Sequence, residues 1–250
     1  MKDLRNNSHG KGKNNGQKTG KKRALAGICL LLLLTLPLAG REVSQNVISQ
    51  KPSALNEKEC KCVVVDAGHG GIDPGKVGIN GALEKDINLE IALLVRQYLE
   101  ADDIKVVMTR ETGDGLYDEN TDNKKVQDMK RRVAMIDETA PDVTVSIHQN
   151  SYPEEYVHGA QVFYYTGSKE GQRLAEIIQT QLAEKADKEN KRQIKANDSY
   201  YLLKKTGVPI VIVECGFLSN RAEAEKLGNK DYQKELAWAI HLGIVQYLNE

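Results

Sequence analysis

The chain has 250 residues, of which 40% are hydrophobic and 28% are charged, and equal numbers of basic and acidic residues give a formal net charge of zero. This length and composition indicate one full-sized globular domain with a short appendage. The charge is unevenly spread, because residues 1–23 hold eight Lys or Arg and one Asp, so the rest of the chain is mildly acidic. An acidic main body excludes nucleic acid as the expected partner.

The beginning of the chain has the layout of an export signal. A basic tail, residues 1–23, precedes the uncharged apolar run Ala24–Gly40, which ends in small residues. Its seventeen residues are marginal for spanning a hydrocarbon core of about 30 Å, so a cleaved signal peptide and an N-terminal membrane anchor both stay open. Residues 41–59 show no apolar periodicity and are predicted to be a linker. A folded domain is therefore expected at residues 60–250, outside the cytoplasm.

From residue 60 onward, strand patterns alternate with helix patterns. Continuous runs of Val and Ile are typical of strands that are covered on both faces, and a 3.6-residue apolar period between them predicts helices. The fold class is therefore α/β, a single domain with a largely parallel twisted sheet of about five or six strands and helices on both faces. The predicted strands are Cys62–Val65, Ile104–Thr109, Val143–Ile147, Gln161–Tyr165 and Pro209–Val213; the predicted helices are Lys85–Glu100, Lys124–Glu138, Glu170–Asp187 and Asp231–Leu248.

Four residues that can bind metal or move protons are associated with these elements. His69 (in DAGHGG) follows the first strand, His148 (in SIHQNS) follows the third, and Glu214 (in VECGF) follows the fifth. Because ligands of open α/β sheets bind outside the carboxyl ends of the strands, these side chains are expected at one edge if the strands are parallel. Glu84 begins the apolar stripe of the first helix, where an inward carboxylate is costly without a partner.

Each of these residues also has a purely structural explanation. His69 could occupy a turn, and Glu84 could complement a helix dipole. His148 could be a hydrogen-bonded core histidine, and Glu214 a salt-bridged strand end. Because all four residues are expected at one edge of the sheet, a shared catalytic or metal-binding site explains them better than four separate structural roles. Two His and one Glu form a familiar catalytic zinc set that leaves a position for water, and a further carboxylate can pass the proton to a leaving group.

Six motifs, in the same order along the chain, resemble the zinc-dependent N-acetylmuramoyl-L-alanine amidases (amidase type 3). They cover about Val63 to Leu248 and read DAGHGGIDPG, LEKDINLEIA, RRVAMID, VSIHQNS, GAQVFYY and VECGFLSN. The resemblance implies Zn²⁺ as cofactor, with Glu214 as the catalytic acid/base and His69, Glu84 and His148 as ligands. It also implies peptidoglycan as substrate, cleaved at the amide between N-acetylmuramic acid and L-alanine of the stem peptide.

A single exported catalytic domain without wall-binding repeats is most similar to the germination-specific amidases of spore formers. That likeness implies spore cortex maturation through muramic-δ-lactam formation, a role in germination, and a location at the developing spore envelope. N-terminal membrane anchoring and a protein activator are further hypotheses. Asn150 and Asn220 adjoin the proposed metal and catalytic residues and are candidate substrate contacts. Arg110 and Arg132 are expected to pair with neighbouring acids rather than with substrate.

Other classes of function fit the sequence less well. A dinucleotide-binding GxGxxG motif would need glycine where Asp73 stands. A cysteine hydrolase built on Cys215 and His148 would leave His69 and Glu84 without a role. No GxSxG motif supports a serine hydrolase. Two alternatives stay open, namely a non-catalytic peptidoglycan-binding module and a vegetative cell-wall amidase.

Overall fold

Six strands form one sheet in the computed structural model, which describes residues 60–250. The strands are β1 Cys62–Ala67, β2 Lys105–Met108, β3 Val143–Asn150, β4 Gln161–Tyr165, β5 Lys195–Asn197 and β6 Ile210–Phe217. Their order across the sheet is β2-β1-β3-β6-β4-β5. Strands β1, β2, β3 and β6 are parallel, whereas β4 is antiparallel to β6 and parallel to β5. The predicted α/β fold with a largely parallel sheet is confirmed.

Helices cover both faces of this sheet. They are α1 Glu84–Ala101, α2 Lys124–Thr139, α3 Lys169–Gln181, α4 Tyr201–Lys205, α5 Arg221–Leu227 and α6 Lys230–Leu248. Alternate residues of β1 face opposite sides, because Val63 and Val65 are buried with residues of α1, α3 and α6, and Val64 with residues of α2 and α4. The uninterrupted Val run is therefore buried on both faces, as a parallel strand between two helical layers requires.

Some elements differ from the sequence prediction. The apolar pattern does not predict β5, α4 and α5, which have three, five and seven residues, because helical periodicity becomes readable only over about 11–18 residues. The helix predicted over 170–187 is α-helical to Gln181 and continues as a π-helical turn to Ala186. Strands β3 and β6 extend beyond their predicted ends, so His148 and Glu214 lie within strands rather than after them.

The predicted basic tail (1–23), apolar run (24–40) and linker (41–59) lie outside the described residues. Within residues 60–250, no helix combines the length and apolar character that crossing a membrane requires. The predicted N-terminal segments and their boundaries stay predictions.

The carboxyl ends of β1, β3 and β6 meet at one edge of the sheet. In the strand register, Ala67 lies opposite Ile147, and His148 lies opposite Glu214. Helix α1 begins at Glu84 and packs against β1 and β3. The parallel part of the sheet therefore brings the ends of three strands and the start of one helix to the same place.

Candidate metal centre and active site

Three side chains converge at this edge with the spacing of metal ligands. One ligand atom each from His69, Glu84 and His148 lies within 4.8 Å of the other two. Glu84 Oε1 is 3.1 Å from His69 Nε2 and 2.9 Å from His148 Nδ1. Two imidazole nitrogens and one carboxylate oxygen are donors that zinc prefers, at bond lengths of about 2.0–2.2 Å. The three residues predicted from sequence are thus brought together.

Glu84 is buried at the start of α1, where its carboxylate has several donors. Oε2 accepts a hydrogen bond from the backbone N–H of Lys76 at 2.7 Å, and Oε1 accepts one from that of Gln149 at 3.1 Å. Burial opposes ionisation, but the hydrogen bonds and charges of His148 and His69 hold the pKa of Glu84 well below its usual range. Glu84 is therefore an ionised carboxylate fixed between the two histidine rings.

The ring of His69 is oriented by a carboxylate on its far side. Nδ1 of His69 lies 3.0 Å from Asp73 Oδ2, and Lys125 Nζ lies 3.1 Å from the same oxygen. Although burial acts in the opposite direction, His69 and Lys125 lower the pKa of Asp73 to about 2. The ionised Asp73 accepts a hydrogen bond from Nδ1–H, so Nε2 is the ring nitrogen that faces Glu84 and is available to a metal ion. Carboxylate–histidine pairs of this kind commonly orient metal ligands.

Two glycines near His69 are required by the close approach of the ligand side chains. A Cβ on Gly68 would lie 2.3 Å from His148 Nε2. A Cβ on Gly75, whose φ is +67°, would lie 2.5 Å from Glu84 Oε2. Any larger residue at these positions would displace a ligand, which explains why a histidine stands in a glycine-rich segment.

A cavity of about 320 Å³ opens beside this group. Its lining includes His69, His148 and Glu214, together with the aromatic side chains of Tyr117 and Tyr200. A substrate in this cavity would touch both the candidate ligands and the candidate acid/base. The aromatic wall reduces water access and so strengthens electrostatic interactions within the site.

Glu214 presents an unsatisfied carboxylate oxygen to the site. Its side chain is 8% exposed, and Oε2 has no hydrogen-bond partner within residues 60–250. Burial raises the pKa of Glu214 to about 7; the charge of His148 opposes this shift and that of Glu84 adds to it. A carboxyl group that titrates near neutrality can both accept and donate a proton. An orphaned carboxylate oxygen next to a His₂Glu donor set also fits a bound cation.

The cysteine alternative is not supported by the environment of its nucleophile. Cys215 is fully buried, and burial raises the pKa of its thiol well above the usual range. A protonated, inaccessible thiol cannot act as a nucleophile.

Asn150 and Asn220 are not brought to the cavity. Asn150 follows a register shift after His148 in β3, and its side chain accepts a hydrogen bond from the Ser151 N–H at 2.8 Å. Asn220 is the N-cap of α5, accepting from the Glu223 N–H at 2.9 Å and donating to the Glu155 carbonyl at 2.8 Å. Proximity along the chain does not translate into proximity in space here, because a β-bulge and a helix start redirect the two side chains.

Sequence reasoning also leaves some site residues unassigned. Asp73 orients His69 from four residues further on, a spacing that a carboxylate search around each candidate ligand would detect. Tyr200 reaches the cavity from the start of α4, an element too short to be recognised from its pattern. A contact made from such a short element, like that of Tyr200, can be found only in the tertiary structure.

Comparison with known proteins identifies the class. The sequence profile of the family described as N-acetylmuramoyl-L-alanine amidase matches residues 63–246. This chain belongs to that amidase family. The chain is 38% identical, over 193 residues, to the germination-specific N-acetylmuramoyl-L-alanine amidase of Bacillus subtilis (strain 168). This match covers 76% of this chain and 81% of the relative. The predicted family is confirmed, and the protein is an enzyme that hydrolyses the amide between N-acetylmuramic acid and L-alanine in peptidoglycan.

Solved structures agree with the fold. The CwlD amidase from Clostridioides difficile, solved in complex with the GerS lipoprotein, is 40% identical with a TM-score of 0.74 and covers 76% of this chain and 98% of its own. An N-acetylmuramoyl-L-alanine amidase from Clostridium difficile 630 is 30% identical with a TM-score of 0.69 and the same two coverages. Both likenesses extend over nearly the whole described domain.

Proposed function

We propose that this amidase is zinc-dependent and uses Glu214 as its catalytic acid/base. The proposal rests on buried Glu214, whose Oε2 has no hydrogen-bond partner within residues 60–250 and which lines the same cavity as two of the three converging donor residues. Nitrogen, nitrogen and oxygen donors from His69, His148 and Glu84 would hold the zinc ion.

Each of the site residues then has a defined task. When bound, zinc supplies Lewis-acid chemistry that polarises the scissile carbonyl and makes water a nucleophile near neutral pH. Glu214 takes a proton from the attacking water and delivers it to the departing nitrogen of L-alanine. Asp73 keeps the ring of His69 in one tautomer and one orientation. The ionised Glu84 balances part of the charge of the cation.

We further propose that the enzyme acts in spore cortex maturation, by the stem-peptide removal that precedes muramic-δ-lactam formation, and so in germination. One relative supports this role, because it is named as germination-specific, and a second relative was solved with a lipoprotein. The likeness to the second also supports a protein partner or activator for this chain. Export through residues 24–40, as a cleaved signal or as a membrane anchor, would place the enzyme at the developing spore envelope.

Mass spectrometry of muropeptides tests the reaction and its zinc dependence. The full chain is incubated with purified peptidoglycan, with and without a zinc chelator. We expect free stem peptides that begin at L-alanine, formed only in the untreated sample and restored by added zinc. A protein that sediments with peptidoglycan but releases no peptide would instead be the non-catalytic binding module.

The spore role has a separate test. Deletion of the gene should yield spores whose cortex lacks muramic-δ-lactam and which fail to complete germination, while vegetative growth and wall turnover stay normal. Normal cortex with altered vegetative wall turnover would favour the alternative, a vegetative cell-wall amidase.

A further inference from the structure

We propose that Arg110 and Arg132 are positioning residues that fix the segments bearing two of the three metal ligands. These two side chains, called here the arginine pair, lie beneath the loop that carries His69. The inference rests on the proposed zinc site. It concerns how that site is held in place before any ion binds.

Arg132 holds the backbone at and before His69. Its Nη2 donates to the His69 carbonyl at 2.6 Å, and its Nη1 donates to the Ala67 carbonyl at 2.8 Å. Two carboxylates fix the guanidinium itself, because Nε lies 2.6 Å from Asp128 Oδ2 and Nη1 lies 2.5 Å from Asp66 Oδ1. The side chain is 1% exposed, so it is anchored in the core and reaches outward to the loop.

Arg110 joins this loop to the start of α1. Its Nε donates to the Ala67 carbonyl at 2.8 Å. Its Nη2 donates to both the Gly68 carbonyl, at 3.0 Å, and the Lys85 carbonyl, at 2.7 Å. One nitrogen thus links the residue before His69 to the residue after Glu84. This guanidinium group therefore helps to set the separation of the two ligands, beside backbone hydrogen bonds such as that from the Lys85 N–H to the Pro74 carbonyl.

The loop has particular need of such support. Strand β1 ends at Ala67, so the carbonyls of Gly68 and His69 lie beyond its ladder. His69 has a φ of 63°, a left-handed backbone conformation that residues with side chains rarely adopt and that persists only when surrounding contacts impose it. The third ligand, His148, lies within β3 opposite Glu214 of β6 and is held by the sheet.

Burying two neighbouring positive charges costs free energy, which indicates that the arginine pair does more than fill space. Two guanidinium groups share the Ala67 carbonyl. Burial and the nearby charge of Arg132 lower the pKa of Arg110 to about 10. Apolar residues would fill the same volume without this repulsion. Arginine is also specific to the task, since its planar fork presents several donors at fixed angles, which lysine cannot reproduce.

The hydrogen bonds argue against direct substrate binding by Arg132, although it lines the cavity. All five of its N–H groups donate to protein oxygens within residues 60–250, the second N–H of Nη2 to Asp128 Oδ1 at 3.4 Å. A substrate carboxylate would have to break one of these bonds. Arg132 therefore acts through the position of His69 rather than by contact with substrate.

The test measures zinc affinity by competition with a chromogenic chelator, using the full chain. Arg110→Lys and Arg132→Lys are compared with the wild type and with Arg96→Lys. The control Arg96 pairs with Glu111 on the surface at 2.6 Å and does not touch the loop. We expect each of the first two variants to bind zinc about 10- to 100-fold more weakly, as is usual when the support of a metal ligand is lost. Arg96→Lys should bind like the wild type.

A purely structural role predicts a different pattern. In that case the lysine variants would have lower thermal stability without zinc but, where folded, unchanged zinc affinity, and this result would overturn the proposal. A wild type that binds no zinc would refute the proposed function itself. If the wild type binds zinc and the variants bind it equally well, the positioning role of the arginine pair is refuted and the proposed zinc site is not.

Asp128→Asn decides the case in which both lysine variants fail to fold. Asp128 lies at the outer end of the buried network, with its side chain 11% exposed against 1% for Arg132, and within residues 60–250 it accepts hydrogen bonds only from Arg132 and the Leu116 N–H. We expect this variant to fold and to weaken zinc binding by a smaller factor than the lysine changes would. Unchanged zinc affinity in folded Asp128→Asn would show that the anchoring of Arg132 has no bearing on the site.

Discussion

Two polar clusters lie on either side of the end of β1, and they differ in how completely their groups are paired. The metal-site cluster consists of His69, Glu84, His148 and Glu214; the anchor cluster consists of Asp66, Thr109, Asp128, Arg132 and Ser146. In the anchor cluster, Asp66 accepts hydrogen bonds from Arg132, Thr109 and Ser146 at 2.5 to 2.7 Å. In the metal-site cluster, two rings converge on one oxygen of Glu84, and a buried oxygen of Glu214 has no partner within residues 60–250.

The two clusters move the pKa of a buried carboxyl group in opposite directions. Burial raises the pKa in both cases, but Arg132 and Ser146 outweigh it at Asp66 and lower the pKa to about 2. At Glu214 burial prevails and the pKa rises to about 7. A fully paired buried cluster stabilises its own ionised form, whereas an unpaired one costs stability and is retained for chemistry. The comparison therefore separates a cluster whose carboxylate is fully hydrogen-bonded from a cluster in which a carboxylate oxygen has no partner within residues 60–250.

The largest expected effect follows removal of a ligand from the metal-site cluster. His148→Ala should reduce bound zinc from about one ion per chain to nearly none and abolish peptide release, because only two donors would remain. Metal analysis of the purified full chain measures the first effect. His158→Ala, at a histidine outside the donor group, is the matched control and should keep its zinc. Unchanged zinc in His148→Ala would refute the ligand set.

Breaking the anchor cluster should lower stability. Asp66→Asn leaves the charge of Arg132 partly uncompensated in the core, and we expect the free energy of unfolding in urea to fall by about 3–5 kcal/mol. Because its folded pKa lies below the ordinary 3.8, Asp66 stabilises the fold above that pH, and this contribution is lost as pH falls toward about 2. Asp118→Asn, which breaks an exposed pair with Arg131, should leave the free energy of unfolding nearly unchanged, because solvent screens that pair. Equal losses in both variants would contradict the distinction between the clusters.

The opposite pH dependence is expected for Glu214 in the metal-free protein. Its folded pKa lies above the ordinary 4.5, so the wild type loses stability as pH rises from 4.5 to about 7, where the buried group ionises. Glu214→Gln has no charge to bury and should be the more stable protein at pH 8, with the difference vanishing near pH 4. Thermal unfolding at both pH values measures it. A variant less stable than the wild type at pH 8 would indicate a salt-bridged structural glutamate.

The smallest effect concerns Asn220, which lies outside both clusters. Asn220→Ala removes the cap of α5 and should cost about 1 kcal/mol of stability without changing peptide release. Asn229→Ala removes the corresponding cap of α6 and is the matched control. If Asn220→Ala slowed the reaction and Asn229→Ala did not, this result would support the prediction that Asn220 contacts the substrate.

The sequence predicts the parallel part of the fold better than its antiparallel edge. Strands β1 and β6 contain continuous apolar runs, and β3 alternates Val or Ile with Thr and Ser. The rule that ligands bind at strand ends then leads directly to His69, His148 and Glu214. The reversed direction of β4 is not encoded in its apolar period, because alternation is the same for either direction.

Long-range contacts are the other part that the sequence does not predict. The bond from Arg132 to the His69 carbonyl joins residues 63 positions apart, and Arg110 meets Lys85 only because β2 lies beside β1 and α1. The motif RRVAMID indicates that this segment belongs to the family, but it does not indicate what Arg132 touches. Such assignments depend on topology rather than on local pattern.

Proton transfer beside a zinc ion is the role that we propose for Glu214, whose Oε2 has no hydrogen-bond partner within residues 60–250. The most direct test is the rate of stem-peptide release by zinc-loaded Glu214→Gln, compared with the wild type at equal zinc content. Gln keeps the shape of the side chain but cannot carry the proton. We predict that the variant binds zinc and peptidoglycan normally and releases peptides about 10²- to 10⁴-fold more slowly. Near-normal release by the zinc-loaded variant would exclude Glu214 as the catalytic acid/base.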